Sequence, residues 1–322
     1  RKSQKNLKYL LHFLLELMMF DDYNFEKLKM TNDEVLSLSK DESLIRLNSL
    51  IEESNKIYEV GVNKFIIDEK KELSNTCILF SGGNDSTILL HLFKDLANFA
   101  IHIDTGIGIP QTYDYVKNAC ECFNITLKTY KSDEKDSYEN IINKNGFPGP
   151  VQHFLIYQRL KERALRKAVK DNNMPKKQRI VFLSGKRRDE SFRRRASAAV
   201  TRNRSVVWVS PIVNWTKEDI SLYRKIFPEI PRSPVSDMIH MSGECMCGSF
   251  AKLGEKEQLA FFFPEFVVYL NKLEDEVAKN KDIPDERKRW GWGSDKHLRK
   301  KPNKNIGDLC STCEYSNTDI VE

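Results

Sequence analysis

Residues 74–235 read as an α/β domain built on a doubly wound, mostly parallel sheet, and three observations predict this. Short apolar runs of strand length alternate with amphipathic segments of helix length, the pattern of a parallel sheet covered on both faces. A Gly-Gly turn joins the first apolar run directly to the first amphipathic segment. With 40% hydrophobic and 10% aromatic residues, the chain has enough apolar surface to bury a core.

Taken in order, Thr76–Phe80 is a strand and Ser86–Leu96 a helix. Phe99–Ile103 is the second strand, Gln111–Cys122 the second helix and Ile125–Tyr130 the third strand. Val151–Lys170 reads as one long helix. Arg179–Leu183 and Val206–Val209 are further strands, and Thr216-Lys-Glu-Asp219 opens another helix. Residues 1–73 form an N-terminal helical region with a capping box at Thr31-Asn-Asp-Glu34, expected to serve as a helical cap or partner surface. Residues 236–322 form a small Cys-rich unit with a basic tail. The chain starts at Arg1 rather than Met, so further residues are expected before it.

Tyr9–Phe20 is the longest apolar stretch. It contains His12 and Glu16 and is too short to span a bilayer, so a cytoplasmic protein with no membrane partner is expected. Lys and Arg number 52 against 46 Asp and Glu, a net charge of +6. Part of the excess lies near 186–204, where Arg193, Arg194, Arg195, Arg202 and Arg204 make a basic strip suited to a nucleic-acid backbone or to a solvated face.

The segment Ser81-Gly82-Gly83-Asn84-Asp85-Ser86 carries the clearest chemistry. Glycines let backbone amides approach phosphate oxygens, and the following helix supplies free N–H groups and a positive dipole end. The GK[ST] ending of a Walker A loop is absent. Asp104-Thr105-Gly106 ends the second strand, where open α/β sheets bind ligands. Gly185, Arg187, Arg188 and Glu190 follow the RIVFL strand in the same way, and guanidinium forks suit phosphate.

The string SGGNDS resembles the PP-loop of the ATP pyrophosphatases, and more narrowly that of the phosphoadenosine phosphosulfate (PAPS) reductases. The Asp104-Thr105-Gly106, Gly185–Ser191 and Pro211-Ile212…Trp215-Thr216 segments resemble further elements of that family in order and spacing. The resemblance implies an adenine nucleotide alpha hydrolase-like fold. It implies ATP and Mg2+ held by Ser81, Gly82, Gly83, Asn84, Asp85, Ser86, Asp104, Thr105, Gly106, Gly185, Arg187, Arg188 and Glu190. Asp85, Arg187 and Lys161 would be catalytic.

Two features depart from the reductases. No Glu-Cys-Gly motif is found, and Gln158-Arg159-Leu160-Lys161 has the family's Lys without the Cys-Cys pair of the iron–sulfur reductases. Four of the seven cysteines form tight pairs, Cys245/Cys247 and Cys310/Cys313. Together they suit a [4Fe–4S] cluster or tetrahedral zinc; the alternatives are two unrelated reduced pairs or one redox dithiol. Cys77, Cys120 and Cys122 are expected to pack.

With these departures the chain is most similar to the ATP pyrophosphatases of DNA phosphorothioation systems (the DndC and SspD types). That implies adenylation of a DNA backbone phosphate before sulfur insertion. It also implies a cysteine desulfurase or other sulfur donor and sister proteins of a modification complex as partners. A sulfonucleotide reductase and a non-catalytic nucleotide-sensing module of a defence complex are the alternatives.

Overall fold

The computed structural model describes residues 37–174, 176–191 and 194–294. Six strands form one sheet in the order β3-β2-β1-β4-β6-β5. They are β1 (Glu72–Leu79), β2 (Phe99–Asp104), β3 (Leu127–Lys131), β4 (Gln178–Leu183), β5 (Val200–Asn203) and β6 (Val206–Val209). All neighbours are parallel except β5, which pairs antiparallel with β6 at the edge. The fold is thus the predicted mostly parallel α/β sheet. The expected strands are all present, with β5 added.

Strand side chains alternate between two cores, as a period of two requires. Ile78, Phe80, Val181 and Leu183 pack on one side with residues of α1 (Lys40–Val62), α2 (Asn84–Phe93) and α3 (Pro110–Cys122). Cys77, Phe99, Ile180 and Phe182 pack on the other with Ala164, Leu165 and Ala168 of α6 (Arg163–Asn172).

Helix α1 begins with a capping box between Ser39 and Glu42. It lies within the helical layer: Leu47 and Leu50 are buried against Ile212, Trp215 and Tyr223. Arg46 is paired with Asp219 at 2.6 Å, both buried, which ties α1 to α7 (Lys217–Ile226). Thr31–Glu34 and Tyr9–Phe20 lie outside the described residues.

Between α4 (Tyr138–Asn145) and β4, the expected long helix is present but not uniform. A short α5 (His153–Ile156) passes into a π-helical segment, Tyr157–Glu162, and then into α6. Wide π turns rotate successive side chains differently from α turns, and here Leu160 and Lys161 both face inward and are buried.

Beyond residue 233 come α8 (Pro234–Ile239), α9 (Glu255–Phe262) and α10 (Pro264–Ala278). Val235, Met246, Leu259, Leu270 and Trp290 share one core with Ile107, Tyr138, Phe147 and Leu160. No helix among the described residues is long and apolar enough to cross a membrane.

Candidate active site

Strand order reverses between β1 and β4, so the loops leaving their carboxyl ends diverge and open a crevice. A cleft of about 790 Å³ lies there. Ser81, Gly83, Asn84, Asp85 and Ser86 from the first loop line it, with Gly185, Arg187 and Glu190 from the second.

The first loop is held open by its own polar groups. Gly82 has φ +81°, and a side chain there would press on Val116 and Thr112. Gly83 caps α2 with extended backbone, and its carbonyl accepts from Ser86 Oγ (3.0 Å) and Thr87 Oγ1 (2.9 Å). Ser81 Oγ lies 3.2 Å from Ser86 Oγ. Asn84 Oδ1 is buried with no hydrogen-bond partner among the described residues. The α2 amino terminus adds its unpaired N–H groups.

The second loop closes on the first. A Cβ built at Gly185 would stand 3.1 Å from Ser86 N, so only glycine leaves that amide clear. Arg187, 7% exposed, sets Nε 3.1 Å from Asp85 Oδ2 without aligning to donate to it. Glu190 accepts from Arg187 N at 3.1 Å and pairs with Arg194.

Arg188 turns away from the cleft. It donates to Ser197 O and to Asn214 Oδ1, both at 2.9 Å, and so braces the loop from outside. Asp104, Thr105 and Gly106 also do not line the cleft. Asp104 Oδ1 accepts from Gly106 N (2.8 Å), and Thr105 Oγ1 donates to Glu244 O (2.6 Å). That bond belongs to a run in which Ile109 N donates to Gly243 O, Thr112 Oγ1 to Ser242 O and Met246 N to Ile107 O. Residues 242–246 are therefore laid along the loop after β2, which explains Gly108: a Cβ there would sit 2.8 Å from Glu244 O.

Lys161 lines the cleft and pairs with Glu244 at 3.0 Å, both side chains buried. Eight lysines and arginines line the cleft against four carboxylates, so its field favours anions. Sequence reasoning overlooked Arg224, Ser236 and Ser242, which also line it, and Tyr115, whose hydroxyl meets Thr87 Oγ1 at 2.9 Å. No local motif marks these residues.

Cys245 and Cys247 follow Glu244 in the chain, and Cys245 lies within reach of the Lys161 and Glu244 charges. The Cys247 thiol and burial push the Cys245 thiol up, and Cys247 Sγ donates to Ser249 Oγ at 3.3 Å. Trp290 Nε1 donates to Met246 O (2.8 Å), placing Trp290 against the pair. Cys310 and Cys313 lie outside the described residues, and no group of three or more metal-ligating side chains occurs among the described residues. Adjacent thiols at Cys245 and Cys247 fit half of a four-thiolate set. Cys77 and Cys120 are buried with thiols pushed up to about 12 by burial, as packing residues should be. Cys122 is exposed, contrary to expectation, because it ends α3 on the outer face.

In the basic strip, Arg194 is buried against Glu190 and Arg202 pairs with Glu69. Arg195 and Arg204 are exposed, and Arg193 lies outside the described residues.

A strand-ending Ser-Gly-Gly loop at a helix amino terminus thus faces a second Gly-Arg loop across a sheet reversal, around one cation-rich cleft. Residues 75–226 match the phosphoadenosine phosphosulfate reductase domain. A phosphoadenosine 5′-phosphosulfate reductase of Aliivibrio salmonicida is 24% identical over 73% of this chain and 91% of its own length. The phosphoadenylyl-sulfate reductase of Candida auris, solved as a phosphate complex, is similar with a TM-score of 0.43 and 20% identity, over 62% of this chain and 92% of its own. The U34-tRNA thiolase NcsA of Methanococcus maripaludis, solved with its [4Fe-4S] cluster, gives a TM-score of 0.32 and 15% identity, over 73% and 81%.

Proposed function

We propose that this chain is an ATP pyrophosphatase: it adenylates a phosphate oxygen, in our reading on the DNA backbone, and releases pyrophosphate ahead of sulfur insertion. The observation that carries the reading is the meeting of the Ser81–Ser86 loop with Gly185 and Arg187 in one anion-attracting cleft. Loop amides and the Ser81 and Ser86 hydroxyls would hold the ATP phosphates. Arg187 would neutralise charge that builds on the departing pyrophosphate. Asp85 would hold a Mg2+ ion, which would supply Lewis-acid stabilisation. Cys245 and Cys247 would hold a [4Fe–4S] cluster or zinc together with Cys310 and Cys313.

Sulfonucleotide reduction is the second reading, favoured by the match over residues 75–226 and by the relatives' names. It needs a thiol at the reacting sulfur, and among the described residues no cysteine lines the cleft. The deciding experiment measures pyrophosphate release from ATP, with and without DNA, beside a thioredoxin-coupled sulfite assay. Sulfite production without pyrophosphate release would replace the first reading with the second.

A further inference from the structure

Six of the eight cations that line the cleft fall into two groups. Lys161, Arg187 and Arg232 are each matched to a carboxylate: Glu244, Asp85 and Asp237. Lys217, Arg224 and Lys225 have no ion pair among the described residues, yet all three line the same cleft. They share one face of α7 with Ser221, at helical offsets that place them in a row. The opposite face, with Leu222 and Tyr223, is buried in the core, so the row is fixed toward the opening.

Arg224 is the most telling of the three. Its Nε and Nη2 are buried without a hydrogen-bond partner among the described residues, while Nη1 donates to Pro231 O at 3.4 Å and the guanidinium also interacts with the Tyr115 hydroxyl. A guanidinium fork left unfilled inside a cleft is costly unless something with paired acceptor oxygens completes it. The row starts beside the second loop, where Lys217 N donates to Asp189 Oδ2 at 3.1 Å, and runs from there along α7. Within the wall Arg224 sits close to Tyr115, whose hydroxyl touches Thr87 in the first turn of α2.

We infer that the Lys217–Arg224–Lys225 face of α7 is a second phosphate subsite, which takes a phosphate mono- or diester of the acceptor while the Ser81–Ser86 loop takes ATP. This rests on the reading of that loop as the ATP subsite. Such a row accounts for a polyanionic acceptor without the strip at 193–204, where Arg194 and Arg202 are already paired.

The test uses the full chain and three probes: a fluorescent ATP analogue, a short labelled DNA duplex and adenosine 3′,5′-bisphosphate. Lys217 and Lys225 are exposed, so the Lys217→Ala/Lys225→Ala variant should fold; Arg224→Ala and Arg224→Lys test the fork. Duplex affinity should fall about tenfold or more in Arg224→Ala, as loss of a charged hydrogen bond implies, with partial recovery in Arg224→Lys. In the double variant the log–log salt slope should shrink by about 0.9 for each DNA phosphate that is no longer neutralised. Affinity for the ATP analogue should move less than about twofold, since every group of the ATP loop stays in place. If the wild type ignores the duplex but binds the bisphosphate through these same residues, the subsite stands and the DNA reading falls. Variants that bind both phosphate probes like the wild type overturn the inference, as does a wild type that binds neither. Equal losses for ATP and duplex would place the row in the ATP subsite and overturn it too.

Discussion

Arg187 and Asp85 meet across the reversal of strand order, Nε to Oδ2 at 3.1 Å, and so couple the loop after β4 to the first turn of α2. Neither loop alone builds the site. Arg187 is also the arginine of the two that faces the cleft, because Arg188, one residue on, is held outside by Ser197 O and Asn214.

From that pairing, Arg187→Ala should lower pyrophosphate release by about 10²- to 10³-fold, the usual cost of losing one group that stabilises developing charge. Arg187→Lys should not restore it, since an ammonium lacks the planar fork. Arg188→Ala should reduce thermal stability more than turnover at saturating ATP. Unimpaired release by Arg187→Ala would remove this residue from the chemistry.

The two glycines of the loops should separate binding from folding. Gly185→Val places a side chain against Ser86 N and should weaken ATP binding at least about tenfold while the melting temperature changes little. Gly82→Ala forces a Cβ onto a backbone with φ +81° and should cost about 1–2 kcal/mol in denaturant titrations. Wild-type ATP affinity in Gly185→Val would show that the Ser86 amide is not a phosphate donor.

The buried Lys161–Glu244 pair predicts strong non-additivity. Glu244→Leu alone removes the carboxylate from a buried ammonium and should destabilise by about 3–5 kcal/mol. Lys161→Met/Glu244→Leu should regain most of that stability, because it buries no charge. If the stable double variant has lost pyrophosphate release, Lys161 acts in the reaction; if it turns over normally, the pair only joins the π segment to the 242–246 loop.

His91 gives a pH signature. Burial, with the Lys94 charge beside it, holds its pKa below the ordinary 6.5, and Nδ1 lies 2.7 Å from the Tyr223 hydroxyl. The unfolded chain therefore binds the proton more readily than the folded one. The contribution of neutral His91 is fully present above pH 6.5 and is lost as pH falls through its lower folded value. Urea midpoints measured from pH 8 to pH 5, about the range in which histidine titrates, should decline less in His91→Gln than in the wild type. Parallel declines in the two proteins would assign the pH dependence to other groups.

For the cysteines, anaerobic purification should yield a brown, iron-containing protein if the centre is a cluster and a colourless zinc protein if it is not. Cys245→Ser and Cys310→Ser should each lower the metal content. Loss in one variant only would separate the two pairs.

Much of the sheet was legible in the sequence because its cues are local. Buried parallel strands are short, continuously apolar runs, and the strand–Gly-Gly–helix loop is contiguous from Thr76 to Phe93. Strand β5 escaped notice since Val200–Asn203 is an exposed edge with three polar residues and no apolar period. The π segment at Tyr157–Glu162 has the same residue types as an α-helix, and only its packing against the 242–246 loop distinguishes it.

What the sequence determined by itself was therefore the set of elements that nearest-neighbour chemistry specifies: the alternating strands and helices and the Ser81–Ser86 loop, with the Thr216–Asp219 capping box at α7. Tertiary structure alone decided which side chains share the cleft. Arg187 and Arg188 are equivalent as letters, and one faces inward because Asn214 and Ser197 capture the other. Thr105 serves the 242–246 loop rather than the opening, because Glu244 O lies within its reach. Lys217, Arg224 and Lys225 stand more than a hundred residues from Ser81, and only the packing of α7 beside α2 turns that helix face into a wall of the same site. Hydrophobic and hydrogen-bonding preferences act over a few residues of chain, whereas electrostatic complementarity acts through space, so the charges of a site are assigned only once the chain has folded.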